Sequence, residues 1–237
     1  MTDGANFEKG PEQVIGSGAG GAEGESRLYP AFLKLQGRRA LVVGGGPVAF
    51  QKARELVQCG ARLHVVATAW PVDFTPLEDL GDLTRTTRPF VPEDLDGVTV
   101  VIAATDDPDV QGCVHREAQA RGVLCNVVDV PDLCGFYVPA TLRRGALTVS
   151  VSTQGKSPLL ARALRDRLAG WLGPHLGAAL DSLGEARRWV RGVHPSDAET
   201  RRAALERLVT PEGVEELLAG RIEAFEARQR EWRKSWE

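Results

Sequence analysis

Apolar residues are arranged differently in three successive stretches of the chain. From Arg39 to Val128, short apolar runs alternate with segments in which apolar residues recur every three or four positions. The first run, Arg39 to Val43, is a buried-strand pattern, and Gly44, Gly45, Gly46 and Pro47 interrupt it. Val48, Ala49, Ala53, Leu56, Val57 and Cys59 then follow at helical spacing as far as Gly60. Pro47 suits the first helical turn, where the amide it lacks has no intrahelical acceptor. Further strands are predicted over Arg62–Ala67, over Leu83–Thr87 (weaker), over Val98–Ala104, the longest buried run, and over Val123–Val128. A helix opening at Asp107 or Pro108 and carrying Val110, Val114 and Ala118 separates the last two strands. This order predicts a mostly parallel sheet with helices on its faces and the fourth run at its centre.

The pattern changes after Val128. Phe136–Pro139 and Ala146–Val151 read as two more strands, antiparallel around Arg143, Arg144 and Gly145. From Ser157 onward the chain reads as helix. Ser157-Pro158 and Thr210-Pro211 each place a capping hydroxyl before a proline, and Ser196 and Glu199 have the capping-box offset. Leu159, Leu160, Ala163, Leu164 and Leu168 form an apolar stripe larger than a small layer can hide, which predicts a two-fold dimer built from Ala146–Gly173. Ile222, Phe225, Trp232 and Trp236 in the charged last segment read as helix-packing residues. Residues 1–27 lack periodicity, are rich in Gly, Glu, Ser and Ala, and read as a disordered leader. The expected organisation is α/β. A Rossmann-like parallel-sheet domain over 28–141 is followed by a dimerisation region over 142–173 and a small helical C-terminal domain over 174–237.

Composition narrows the partners. The 237 residues include 29 basic and 32 acidic side chains, a formal net charge of -3, which gives no general reason to expect nucleic acid or an anionic membrane. No run is apolar for long enough to cross a bilayer, and the first residues lack a secretory pattern. The four cysteines, Cys59, Cys113, Cys125 and Cys134, include no CxxC pair and read as free thiols of a cytoplasmic protein. Among the four histidines there is no metal-ligand spacing, so no resident metal is expected. His64 reads as structural, and His115 lies on a helix that follows the Thr105–Asp107 segment.

The glycine interruption carries the chemistry. A strand that feeds three glycines and then a helix permits a tight turn and close backbone approach, and it aims unpaired amides and a favourable dipole at a phosphate. Gly44, Gly45, Gly46, Pro47 and Val48 are therefore candidate cofactor contacts, with Ala49 standing where the fingerprint has its third glycine. The end of the second strand reads Val65-Val66-Ala67-Thr68, with no carboxylate for a ribose and no basic group for a 2′-phosphate. The cofactor is read as NAD, with Thr68 near its ribose. Thr105 and Asp106 follow the fourth strand and add candidate contacts; capping of the next helix by Asp106 or Asp107 is the compatible structural role. Asp129 ends the fifth strand beside the same crevice, where it either moves a proton or shapes the turn before Pro131.

Four motifs occur in order: Gly44 to Ala53 (GGGPVAFQKA), Ala103 to Asp107 (AATDD), Asn126 to Asp129 (NVVD) and Ser152 to Pro158 (STQGKSP). Together they resemble the precorrin-2 dehydrogenase / sirohydrochlorin ferrochelatase family, the dehydrogenase module of siroheme synthases, over roughly Leu28–Gly173. The resemblance implies NAD-dependent oxidation of precorrin-2 to sirohydrochlorin, followed in some members by insertion of ferrous iron as a substrate. It implies a homodimer, and it leads us to expect the stand-alone form without a fused methyltransferase domain. The family's key carboxylate matches Asp129. Some fused members carry a phosphorylatable serine where this chain has Thr153. The tetrapyrrole substrate is a polycarboxylate, and Arg143, Arg144, Lys156, Arg162 and Arg165 are the candidate positive groups. A competing reading is a non-catalytic dinucleotide-sensing regulatory dimer, which would keep the glycine loop but has no need of Asp129. A short-chain oxidoreductase is disfavoured because neither Tyr29 nor Tyr137 has a lysine four positions on.

Overall fold

The computed structural model describes residues 27–236, and the leader expected over 1–27 lies, apart from Arg27, outside them. The chain divides between Val138 and Pro139 into two compact units.

The first unit is built on β1 (Arg39–Val43), α1 (Pro47–Gln58), β2 (Arg62–Ala67), α2 (Thr75–Glu78), β3 (Leu83–Thr87), β4 (Val98–Ala103), α3 (Pro108–Ala120) and β5 (Leu124–Val127). The five strands form one parallel sheet in the order β3-β2-β1-β4-β5. Side-chain alternation sorts each strand between two apolar layers. Val42, Val65, Val100 and Ile102 pack with Ala49, Ala53, Leu56 and Val57 of α1 and with Phe74 and Leu77. Leu41, Val43, Val66, Val101 and Val127 pack on the other face with Val114 and Ala118 of α3. Both faces are covered, which is why the central strands are apolar at nearly every position. The polar β3 lies at the edge, as its sequence requires.

The second unit starts with an antiparallel hairpin of β6 (Ala140–Arg144) and β7 (Leu147–Val151). Five helices follow: α4 (Pro158–Trp171), α5 (Leu176–Val193), α6 (Ala198–Leu208), α7 (Pro211–Leu218) and α8 (Ile222–Lys234). Leu147 and Leu172 pack into the cluster of Leu176, Ala179, Leu217 and Phe225, so hairpin, α4 and later helices share one unit. Trp232 is anchored by donating Nε1–H to the Ala204 carbonyl at 2.7 Å.

Two local expectations need correction. Phe136–Pro139 is not a strand, and β6 begins at Ala140. The Phe136 carbonyl is taken instead by the Asn126 side chain at 2.9 Å, and Pro139 has no amide to donate. The cap of α6 is Asp197 rather than Ser196, its carboxylate accepting the Thr200 amide at 2.9 Å. Ser157 and Thr210 cap α4 and α7 as their sequence predicts.

Candidate functional site

The strand order reverses direction between β1 and β4: β2 and β3 lie to one side of β1, β4 and β5 to the other. In open parallel sheets, ligands bind outside the carboxyl ends of the strands at such a switch point. The glycine loop is there. Gly44 continues β1 by donating its amide to the Val66 carbonyl at 2.9 Å, and the Ala104 amide, beyond β4, donates to Val43 at 2.8 Å.

The three glycines differ in what requires them. Gly44 has φ +131, and a Cβ there would lie 2.2 Å from the Ala104 carbonyl oxygen. A Cβ on Gly45 would lie 2.1 Å from the Ala69 carbonyl oxygen. Those two positions are glycine because the protein's own backbone fills the space. Among the described residues Gly46 has nothing within 4 Å of its would-be Cβ, and its φ is -83 in an extended backbone. Its bareness serves no internal contact and leaves room for something to approach the start of α1. That helix has no side-chain cap and no acidic residue in its first turn. Pro47 and Val48 are exposed there, with the Gly46 carbonyl already accepting the Phe50 amide at 2.9 Å. The arrangement suits an anion with two negative phosphates.

The other candidates surround this loop within the same unit. Thr68 is exposed directly after β2, and Asp106 is exposed after β4. Thr105 is half-buried; its carbonyl accepts the Gln111 side-chain amide at 2.6 Å, and its hydroxyl accepts the Asp107 amide at 3.4 Å. Asp107 is the helix cap, accepting from Asp109 and Val110, which leaves Asp106 clear of that duty. Gln111 was not among the sequence candidates; its position one helical turn behind the cap was the available signal.

Asp129 follows β5 in a turn closed by the Val130 amide on the Val127 carbonyl at 3.3 Å. Its φ is +61, a left-handed conformation that a non-glycine residue adopts at some cost and that Asn and Asp adopt most readily. The carboxylate is exposed, and no side-chain hydrogen bond ties it to the turn among the described residues. Asn126, buried two residues into β5, fixes the returning chain by donating to Phe136 and to the Cys134 sulfur. Burial pushes the Cys125 thiol up to about 11, reinforced by Cys134 nearby, and burial also raises Cys134. Neither is a ready nucleophile. His115 is occupied with the Leu133 carbonyl at 3.0 Å, and His64 with the Thr86 hydroxyl at 3.0 Å.

A polar cluster that sequence reading missed lies at the ends of β2 and β3. The Arg88 amide donates to the Ala67 carbonyl at 3.1 Å. Its guanidinium grips Asp94 with two bonds of 2.8 and 2.6 Å and donates to the Pro89 carbonyl at 3.0 Å. Asp94 is buried and also accepts the Val91 amide at 3.0 Å. Burial alone would raise its pKa; the Arg88 bonds and the Val91 amide outweigh it, and the carboxyl titrates below its ordinary value.

The basic candidates belong to the second unit. Arg144 is committed to backbone, donating to Leu172 at 3.2 Å and Ala169 at 3.3 Å near the end of α4. Arg165 contacts Asp166 at 2.6 Å. Arg162 and Lys156 are exposed, as is Arg143 on β6. The Ser152–Ser157 loop is tied internally, Thr153 accepting the Ser157 amide at 3.1 Å. Among the described residues no group of three His, Cys, Asp or Glu side chains stands close enough to hold a metal ion, and no helix is long and apolar enough to cross a membrane.

Two family models match the chain. Residues 31–140 match one described as "Putative NAD(P)-binding", and residues 144–170 match one described as "Sirohaem biosynthesis protein central". Together they take in more than half of the chain. The chain carries both modules, in order, of the siroheme-biosynthesis family that its motifs resemble. Its first unit is accordingly a dinucleotide-binding domain. The siroheme synthase of Pseudomonas paraeruginosa is 42% identical over 194 residues, covering 82% of this chain and 42% of its own. That of Shigella sonnei is 43% identical over 173 residues, covering 73% of this chain and 38% of its own. The chain thus spans about two fifths of the length of these curated relatives. Among solved structures, one titled "SirC, precorrin-2 dehydrogenase" superposes with a TM-score of 0.69 at 24% identity, covering 88% of this chain and 98% of its own, which establishes the shared fold.

Proposed function

We propose that the protein is an NAD-dependent dehydrogenase that oxidises precorrin-2 to sirohydrochlorin. The observation that carries this reading is the open space at Gly46. It lies at the switch point of a dinucleotide-binding domain that is followed by a siroheme-specific module. NAD, when bound, supplies the hydride acceptor. Gly46, Val48 and the start of α1 bind its pyrophosphate, and Thr68, Thr105 and Asp106 line the flanking strand ends. Oxidation removes a hydride and a proton from the reduced tetrapyrrole, and Asp129 receives the proton. An aspartate whose carboxylate is exposed and has no hydrogen-bond partner among the described residues, in a turn that Asn would fit as well, supports a role for its charge. Arg143, Lys156, Arg162 and Arg165 bind the substrate's carboxylates. Arg144, whose donors are spent on α4 carbonyls, supports that surface instead.

The working form is a homodimer in the cytoplasm. Support for the dimer comes from α4, where Leu159, Leu160, Leu164 and Trp171 are exposed. The direct test is anaerobic NADH formation from purified protein, NAD and precorrin-2. Steady production at a rate proportional to enzyme supports the assignment. Tight NAD binding with no turnover would favour the sensing dimer and overturn it. Supplying sirohydrochlorin and ferrous ion, with the enzyme-free rate as reference, tests iron insertion separately.

A further inference from the structure

Most dinucleotide-binding domains mark their preference at the end of the second strand, with an acid for the ribose hydroxyls of NAD or an arginine nearby for the 2′-phosphate of NADP. This chain has neither in the local sequence: Ala67 is followed by Thr68, Ala69 and Trp70. The fold nevertheless brings arginines there from the parallel neighbour, because β2 and β3 run side by side and end together at Ala67 and Thr87. Arg88 comes next and is hydrogen-bonded through its amide to Ala67. Arg85 is spent on Glu78 at 2.7 Å and lies over the Trp70 ring. Arg88 therefore has the position to meet a 2′-phosphate. Its guanidinium is turned onto Asp94 and the Pro89 carbonyl instead.

We propose, on the basis of the dinucleotide-binding reading above, that Asp94 sets a preference for NAD over NADP by holding Arg88 away from the 2′-phosphate. Asp94 suits that task because it is not free to leave. It is buried, it is fixed by the Val91 amide at the head of the short 3-10 turn Pro92–Leu95, and it takes both guanidinium nitrogens in a planar fork. A phosphate would have to displace a bidentate carboxylate from Arg88 and leave that carboxylate buried and unpaired. The device works without any carboxylate on the ribose, which explains how NAD can be chosen when the usual acid is missing. Asp94 is a positioning residue: it acts on the cofactor through Arg88.

The test is equilibrium titration of NAD and NADP against the full chain. In the wild type, NADP binds at least about tenfold more weakly than NAD; equal affinities would overturn the proposal regardless of how any variant folds. Asp94→Asn keeps the acceptor for the Val91 amide but frees the guanidinium. It is expected to tighten NADP by about tenfold or more relative to NAD, the scale of one charge-assisted hydrogen bond. In the Asp94→Asn/Arg88→Gln double variant that gain disappears. A folded Asp94→Asn variant with the wild-type NAD to NADP ratio would overturn the proposal, as would a gain that persists without Arg88. Failure of wild-type protein to bind either dinucleotide is a different result, and it would remove the dinucleotide reading itself.

Discussion

In residues 28–138 a five-stranded sheet carries an apolar layer on each face, and every strand but the edge strand β3 is mostly hidden. In Pro139–Trp236 the hairpin and helices build their own clusters, yet α4 leaves Leu159 at 76% and Trp171 at 60% exposure. Around the glycine loop the first unit's openings are polar and local, the bare Gly46 and the exposed Asp106 and Asp129, while its most exposed apolar side chains, Tyr29 and Phe32, lie ahead of β1. The second has apolar surface left over and a row of cations. Proposed chemistry therefore concentrates in the first unit, and proposed assembly and substrate capture in the second.

The sharpest way to break that division is Asp129→Asn. Asn adopts φ +61 at least as readily as Asp, so the turn at Val127–Val130 and NAD binding survive. Turnover should fall by about 10²–10⁴-fold, roughly 3–5 kcal/mol of transition-state stabilisation, read as single-turnover NADH formation. A near wild-type rate would take the proton-transfer role away from the first unit. A rise in KM alone would make Asp129 a binding residue.

The matching challenge to the second unit is Leu159→Asp with Leu164→Asp. Each side chain is already exposed, so folding should hold, while the dimer dissociation constant should rise by about 10²-fold or more if both leucines are buried between subunits. Light scattering across a concentration series reads this. Wild-type protein that is monomeric at micromolar concentration would sink the assembly role outright.

Within the first unit, the loop offers a contrast between fold and ligand. Gly45→Val drives a branched side chain into the Ala69 carbonyl and should lose about 2–4 kcal/mol of stability by denaturant melt. Gly46→Ala has open space and should change stability by less than about 1 kcal/mol. Its NAD affinity should nonetheless weaken by roughly tenfold, because the methyl group stands where the pyrophosphate must approach. Unchanged NAD affinity in Gly46→Ala would detach the loop from the cofactor.

The smallest effect concerns acid. The folded pKa of Asp94 lies below its ordinary value of 3.8. The unfolded chain therefore takes up this proton first, and the stabilisation is fully present above about pH 4 and is lost as pH falls through the folded value. Urea midpoints of wild type and Asp94→Asn should differ at pH 7 and draw together as the pH falls below the ordinary carboxylate value. A difference that stays constant with pH would mean the carboxylate charge contributes nothing.

The sequence by itself determined the five parallel strands, the glycine loop, the proline-flanked caps at Ser157 and Thr210, and the family motifs. These are written in local spacing: apolar runs of strand length, recurrence at three or four positions, and turn residues whose backbone geometry is set within a few residues. Only the tertiary structure decided which of three adjacent glycines is bare for a ligand, because the difference lies in carbonyls brought over from Ala69 and Ala104. It decided that Phe136–Pro139 is held by the Asn126 side chain instead of pairing as a strand, and that Arg144 serves α4. It also brought Arg88 to the end of β2 and turned it onto Asp94. The physical reason is common to all of these. A residue's partner across a sheet or a chain reversal is fixed by strand order and register, which local periodicity does not encode.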